Sequence, residues 1–186
     1  MRRNLSLLAL GITLTFTAAQ PTLTLTSIKA VESTRDNKDQ WNIKGYFNDP
    51  QGDFISSIAV DGVSAILAEG RNEIVSDVTF DAADCRELNN DRGVFCKDTG
   101  ARISLTRTKR VPKEAMDVAK HSKNKTSSAS SYYKVSGVFR RQQFQNSISM
   151  SGSLTATIGN RGGSDEAMLS NCNEKRGART TKLLCK

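Results

Sequence analysis

Cysteine is the residue type with the clearest chemistry in this chain, at positions Cys85, Cys96, Cys172 and Cys185. An even number of cysteines in an exported chain is typical of disulfides formed in an oxidising compartment. Zinc sites and redox centres are the alternatives, but both favour a CxxC spacing that this chain lacks. We therefore predict two disulfides, no metal site and no cofactor.

Two pairs of carboxylates have a spacing that could support acid–base chemistry. Asp49 and Asp53 lie in NDPQGD, and Asp81 and Asp84 lie in FDAADC. Two acids suffice for glycoside hydrolysis, and the first pair could also bind calcium, although neither cluster follows the EF-hand pattern. Acids in such turns more often cap backbone groups or face water. The sequence thus predicts no catalytic residue among them.

The only histidine, His121, lies in a segment rich in Lys and Ser that is typical of a flexible linker. A Ser–His–Asp or Cys–His arrangement needs an imidazole that is held rigidly beside its nucleophile. The chain also lacks the GxSxG and HExxH motifs and a glycine loop that could bind phosphate. We therefore expect a protein that is not an enzyme, with a small hydrolase that uses an unrecognised carboxylate site as the alternative.

Charge differs between the two halves of the chain. Residues 20–106 contain nine Lys and Arg against fourteen Asp and Glu, whereas residues 107–186 contain sixteen against five. In the second half the bases cluster in the segment 107–125 and in a predicted final hairpin. The candidate binding residues of that hairpin are Lys175, Arg176, Arg179, Lys182 and Lys186.

A basic cluster of this kind attracts anionic partners through summed electrostatic potential. Anionic polysaccharide, lipid and an acidic protein surface are the expected partner classes. Nucleic acid is disfavoured, because the chain has no pattern of interleaved aromatic and basic residues. Two other interpretations stay open: a solvated surface that only maintains solubility, and self-association between acidic and basic repeats of different copies.

An internal repeat organises the segments that carry these residues. WNIKGYF at 41–47 aligns with YKVSGVF at 133–139, and FISSIAVDG at 54–62 aligns with FQNSISMSG at 144–152. The boundary between the two copies falls near residue 98. Each copy therefore carries one pair of cysteines near its end.

The repeat selects one of the three pairings that four cysteines allow. It pairs Cys85 with Cys96 in the first copy and Cys172 with Cys185 in the second. A hairpin that turns at residues 90–91 would place the first pair directly opposite each other, within disulfide reach.

Both copies show the alternation of a half-buried β-strand. The positions that share one face are Trp41, Ile43, Gly45 and Phe47 in the first copy and Tyr133, Val135, Gly137 and Phe139 in the second. A glycine inside each strand indicates a β-bulge or a close approach of two backbones. Farther on, Asp61 and Gly62 predict a type I′ turn between strands at 58–60 and 63–66.

Short strands separated by Gly, Asn and Asp predict an all-β fold. The repeats could form two tandem disulfide-stapled β-sandwich-like units or one pseudo-symmetric sandwich. Residues 20–98 would form the acidic first repeat, and residues 99–186 the basic second repeat with a linker insertion at 107–131. Within that insertion a short helix could begin near Pro112.

Residues 1–19 have the order of a secretory signal peptide, with Arg2 and Arg3 before an apolar run at 5–16 and a cleavage site after Ala19. A membrane anchor is the alternative, but an anchor needs about 20 apolar residues. The sequence thus predicts a secreted or periplasmic protein that is soluble after signal cleavage and has no transmembrane segment. Its expected function is to present a basic surface to an anionic partner, without catalysis.

Overall fold

The structure is a computed structural model that describes residues 21–50, 52–70, 73–89, 92–109, 131–148, 153–160 and 163–186. These ranges contain twelve β-strands, one α-helix, α1 (Asp53–Asp61), and a short 3-10 helix at Ala82–Asp84. The strands of the first copy are β1 (Thr22–Ser33), β2 (Asp39–Asp49), β3 (Val63–Glu69), β4 (Glu73–Phe80), β5 (Cys85–Leu88) and β6 (Gly93–Asp98). The strands of the second copy are β7 (Ala101–Arg107), β8 (Ser131–Gln142), β9 (Leu154–Asn160), β10 (Gly163–Leu169), β11 (Cys172–Arg176) and β12 (Thr180–Cys185). The predicted all-β fold is confirmed.

The strands form two antiparallel sheets. The larger sheet has the order β11-β12-β1-β2-β8-β7-β6-β5, and the smaller has the order β10-β9-β3-β4. Each copy of the repeat contributes strands to both sheets, and β2 of the first copy pairs with β8 of the second at the centre of the larger one. Exchanging the two copies reverses each strand order and leaves the pairing unchanged. This is the strand order of one pseudo-symmetric arrangement, not of two tandem units.

A shared hydrophobic core joins the two sheets. The predicted inward face of β2 and β8 is confirmed: Trp41 and Phe139 are fully buried, and their rings stack with centroids 3.8 Å apart. The Trp41 Nε1–H donates a hydrogen bond of 3.1 Å to the Ser76 hydroxyl on β4. On the same strand the Phe80 ring lies 6.3 Å from the Phe139 ring. The centre of the larger sheet therefore packs on an edge strand of the smaller one.

Glycine in β2 allows two backbones to approach each other. A Cβ at Gly45 would overlap the carbonyl oxygen of Thr24 and lie 3.0 Å from the Cα of Leu25. The register of β1 against β2 shifts directly after Leu25, beside this glycine. The bulge or close approach that the sequence predicts is confirmed at Gly45.

The type I′ turn predicted at Asp61 and Gly62 is wrong, because residues 53–61 form helix α1. Phe54 and Ile58 are spaced one helical turn apart, and both are buried in the core. Gly62 ends the helix with a φ of 75° and donates its N–H to the Ile58 carbonyl oxygen. A glycine with positive φ suits both a type I′ turn and a helix end. Burial of one helical face decides between the two here.

The equivalent segment of the second copy is not helical in its described part, residues 144–148. The Gln145 N–H donates to the Val75 carbonyl oxygen at 2.9 Å, and the side-chain amide of Asn146 donates to the Ile74 carbonyl oxygen at 2.8 Å. This segment therefore lies against β4. The two copies differ most in what connects their second and third strands.

Both predicted disulfides are confirmed. Cys85–Cys96 joins β5 to β6, and Cys172–Cys185 joins β11 to β12, with Cα atoms 4.0 Å apart in each pair. The paired cysteines are directly opposite each other in both hairpins. Since β5 and β11 are the edge strands of the larger sheet, each edge is covalently tied to its neighbour.

Several predictions fall outside the described residues: the signal peptide at 1–19, the helix near Pro112 and the turn at 90–91. His121 also lies outside them. Within the part of the chain that the structure describes, no helix is long and apolar enough to cross a membrane.

Candidate anion-binding face

The candidate binding residues of the final hairpin do not share one face. Lys175 on β11 and Lys182 on β12 are exposed and directly opposite each other, on the side of the sheet that faces away from the core. Arg176 lies on the other side, where its guanidinium forms an ion pair with the Glu174 carboxylate. The remaining candidates are Arg179, exposed in the turn, and Lys186, exposed after the end of β12.

The outer face of the larger sheet carries bases far beyond this hairpin. Side chains alternate along each strand, so the strand register assigns the outward positions across all eight strands. Every one of these strands presents at least one exposed base outward. We call this surface the basic face, and its members are Lys29, Lys44, Arg86, Lys97, Arg102, Lys134, Arg140, Lys175 and Lys182.

No outward position of the described strands in the larger sheet carries Asp or Glu. The acids of these strands lie at the alternate positions. Asp39 and Asp49 are buried, and the Glu32 carboxylate accepts a hydrogen bond from the Ile148 N–H at 3.3 Å. No outward strand position therefore neutralises the positive charge of the basic face.

Two pairs of bases on the basic face lie directly opposite each other on neighbouring strands: Lys97 with Arg102, and Lys175 with Lys182. The Cβ atoms of such cross-strand pairs are about 4.5–5.5 Å apart, and like charges at this spacing destabilise a sheet. The basic face thus contains repulsion that an arrangement of mixed signs would avoid.

Near the β5 edge, Lys97 and Arg102 lie at the boundary of two shallow depressions. Arg140 lines the first depression together with the exposed carboxylate of Asp98, which ends β6. Three bases therefore surround one concave part of the surface.

The second depression is lined by Lys97, Arg102 and a third base, Arg86. The Arg86 guanidinium lies over the Phe95 ring, 5.3 Å from its centroid, which orients this base toward the outer face. One carboxylate, that of Asp84, also lines this depression. The disulfide-closed β5–β6 hairpin supplies most of its lining.

Sequence reasoning missed Arg86, Lys97 and Arg102, because they lie in the half of the chain with an excess of acids. Strand alternation is the signal that could have found them. Lys97 follows the buried Cys96, and Arg102 precedes the buried Ile103, so both would have been assigned to an outward face. Strand alternation does not predict the order of the strands in the sheet, and that order is what joins the outward residues into one surface.

The smaller sheet has the opposite charge. Its four strands contain five Asp and Glu and neither Lys nor Arg. Asp77 and Glu166 occupy outward positions there, beside the exposed apolar side chains of Ile74 and Met168. In the described strands, charge is therefore separated between the two outer faces of the fold, in addition to the difference between the two halves of the sequence.

Three of the four carboxylates that could have supported acid–base chemistry act as caps. Asp49 is buried and accepts hydrogen bonds from the N–H groups of Gly52 at 3.1 Å and Ile55 at 3.0 Å, at the start of α1. Asp81 and Asp84 form a capping box around the short 3-10 helix. These hydrogen bonds account for three of the four acids through local backbone structure.

In the part of the chain that the structure describes, no group of three or more His, Cys, Asp and Glu is placed to hold a metal ion. The chain matches no known protein-family model, and no significant match is found among curated proteins or solved structures.

Proposed function

We propose that this protein is an exported, non-enzymatic binding protein of the cell envelope or exterior, and that the basic face binds an anionic partner. One observation carries the proposal. Each of the eight strands of the larger sheet presents a base outward, and no outward position of the described strands carries an acid.

The pattern of charge favours binding over a purely solvated surface. A surface that serves only solubility carries charges of both signs interspersed. The basic face has one sign across eight strands and includes two repulsive cross-strand pairs. Charges of one sign on one surface sum to a potential that attracts polyanions. An anionic ligand would relieve the repulsion, so the bound state is stabilised relative to the free one.

The two disulfides support the proposed compartment. Cys85–Cys96 and Cys172–Cys185 tie both edges of the larger sheet. Disulfides of this structural kind persist in oxidising compartments such as the periplasm and the cell exterior. The signal peptide predicted at 1–19 leads to the same location.

The bases that surround the first depression are the first to test. We expect the combined substitution Lys97→Gln, Arg102→Gln and Arg140→Gln to weaken binding to immobilised heparin by about tenfold, since each partly screened contact contributes up to about 1 kcal/mol. The slope of log affinity against log salt should fall by about one for each base that contacts the polyanion. Titration calorimetry over a series of NaCl concentrations measures both quantities.

A matched variant distinguishes an effect of the basic face from an effect of net charge alone. Arg35, Lys38 and Arg92 are exposed bases that lie outside the outward strand positions. Their combined replacement by Gln removes the same net charge and should leave heparin affinity nearly unchanged. Equal weakening in the two triple variants would mean that only net charge matters, and the proposal would fail.

A second candidate function, self-association as a structural subunit, is favoured by the acidic smaller sheet. The basic face of one copy could dock on that sheet in the next copy, and repeated docking of this kind produces open filaments. We expect such oligomers at low ionic strength and monomers at high, because the Debye length falls from about 30 Å at 0.01 M to about 8 Å at 0.15 M. Light scattering over that range is the measurement. A monomer at both ionic strengths would exclude this function.

A further inference from the structure

We infer that the ligand of the basic face is a linear acidic polysaccharide that runs across the strands of the larger sheet. The inference rests on the proposed function and adds the class and the direction of the ligand. It follows from the rows that the bases form, from the shape of a sheet of this size and from the side chains between the bases.

Directly paired outward residues form a row that crosses the sheet. From β6 to β1 the row consists of Lys97, Arg102, Val138, Asn42 and Lys29. The two flanking rows contain the bases Arg86, Lys44, Arg140, Lys175 and Lys182. Among the members of the basic face, Lys134 alone lies outside these three rows. The bases therefore form a band that runs perpendicular to the strands.

The band is long and narrow. Eight strands about 4.8 Å apart give it a length of roughly 34 Å, whereas neighbouring rows are only about 7 Å apart along the strands. A chain that lies along the band meets bases from every strand, while a chain parallel to the strands meets one or two. The distribution of charge thus fits an extended ligand in one direction.

Sheet twist favours a flexible ligand over a planar or rigid one. Neighbouring strands rotate by about 20–25°, which accumulates to roughly 150° across eight strands. A bilayer surface or a stiff duplex contacts only part of such a twisted face. A flexible chain can follow the band from one edge to the other.

The side chains between the bases suit a sugar chain. Outward positions in the band carry small polar residues: Ser27, Asn42, Ser104 and Ser136. The Ser104 hydroxyl donates to the Ser136 carbonyl oxygen at 3.4 Å, and the Asn42 Oδ1 is buried. The hydroxyls of Ser27 and Ser136 both donate and accept hydrogen bonds, as the hydroxyls of a polysaccharide do. Ionic contacts from the bases and hydrogen bonds from these residues would alternate along the ligand.

In the described part of the chain, Leu184 is the only large apolar side chain on the basic face that is well exposed, and outward apolar residues such as Phe95 and Val138 are partly buried. Of the large hydrophobic residues that are exposed in the described part of the chain, Val60, Ile74 and Met168 lie elsewhere, and Leu184 lies on this face. Interfacial binding to membranes depends on buried apolar area in addition to charge. The chemistry of the face therefore favours a soluble polyanion over a lipid surface.

Heparin oligosaccharides of increasing length, from disaccharide to dodecasaccharide, test the inference on the wild-type protein. We expect the Kd to fall with length until the chain spans the band, by about tenfold or more between tetrasaccharide and dodecasaccharide, because linked contacts act at high effective concentration. Calorimetry at one fixed salt concentration gives the Kd for each length.

Two variants test the direction of the ligand. The first variant combines Lys97→Gln and Arg102→Gln, and the second combines Lys175→Gln and Lys182→Gln. Each should weaken binding of the dodecasaccharide, since one chain contacts both edges of the sheet. For the tetrasaccharide, only the first variant should weaken binding, since Lys97 and Arg102 line the two depressions near the β5 edge. Far-UV circular dichroism and the unfolding midpoint of each variant confirm that the fold is retained.

The outcomes separate the inference from the proposed function. If all lengths bind equally tightly, or if either variant leaves dodecasaccharide binding unchanged, the ligand does not run across the strands. The proposal that the basic face binds a polyanion would still stand. Tighter binding to a single-stranded oligonucleotide of equal charge, or to anionic vesicles of phosphatidylglycerol, also overturns the polysaccharide class. If no polyanion binds at low salt, the proposed function itself fails.

Discussion

Replacing Trp41 by Ala should lower the free energy of unfolding by about 3–5 kcal/mol, the range for large-to-small substitutions of fully buried aromatic residues. Trp41 has no exposed surface, its ring stacks on Phe139, and its Nε1–H donates to the buried Ser76 hydroxyl. The variant leaves a cavity at the point where β2 and β8 meet β4. Urea unfolding followed by circular dichroism measures the loss.

Two further variants divide this effect. Trp41→Phe keeps a ring against Phe139 but leaves the Ser76 hydroxyl without its donor, so we expect an intermediate loss of about 1–3 kcal/mol. Val60→Ala serves as the control, because Val60 is 76% exposed and should change stability by less than about 0.5 kcal/mol. If Trp41→Ala is no more destabilising than Val60→Ala, the two sheets do not share a core that is packed around Trp41.

Removing both disulfides should lower the free energy of unfolding by about 6 kcal/mol, with each bridge contributing about 3 kcal/mol in the loop-entropy estimate. The bridges close loops with sequence separations of 11 and 13 residues, which predicts nearly equal contributions. They lie at opposite edges of the eight-stranded sheet, about six strand spacings apart. Sites that share no partners give additive effects within about 0.5 kcal/mol.

Three variants are compared with the wild type. The first carries Cys85→Ala and Cys96→Ala together, the second carries Cys172→Ala and Cys185→Ala together, and the third carries all four substitutions. Fluorescence of Trp41, the only tryptophan, reports unfolding in urea. Reduction of the wild-type protein with a thiol gives an independent value without a change in side chains. A fourfold variant no less stable than either double variant would show that one bridge contributes nothing.

The inward faces of β2 and β8 were predictable because alternation along a strand is a local property. Trp41, Phe47 and Phe139 fall on the buried side as the period of two requires. The disulfide pairing was predictable for a related reason: the repeat places both partners of each bridge within one hairpin. In both cases the residues that interact are close in the sequence or are related by the repeat.

The helix at 53–61 shows where local reasoning fails. Asp61 and Gly62 are a strong turn signal, and Gly62 does adopt a positive φ. Whether that glycine begins a hairpin or ends a helix depends on Phe54 and Ile58, which are buried together only when the segment is helical. Their burial is decided by what the rest of the chain packs against them, so the local signal alone is ambiguous.

The basic face could be predicted from the sequence only in part. The sequence by itself determined the alternation of inward and outward positions along β2 and β8 and the concentration of bases near the C-terminal end. The density of bases along the sequence indicated a binding site in the final hairpin that included Arg176. In the structure the Arg176 guanidinium pairs with Glu174 on the other side of the sheet.

Only the tertiary structure decided that bases from both halves of the chain share one surface. β2 pairs with β8 and β12 with β1, so strands distant in the sequence become neighbours. Alternation determines the side of a sheet on which a residue lies, but strand order determines its neighbours. Strand order depends on the burial of a common core by both copies, and that is a property of the whole chain.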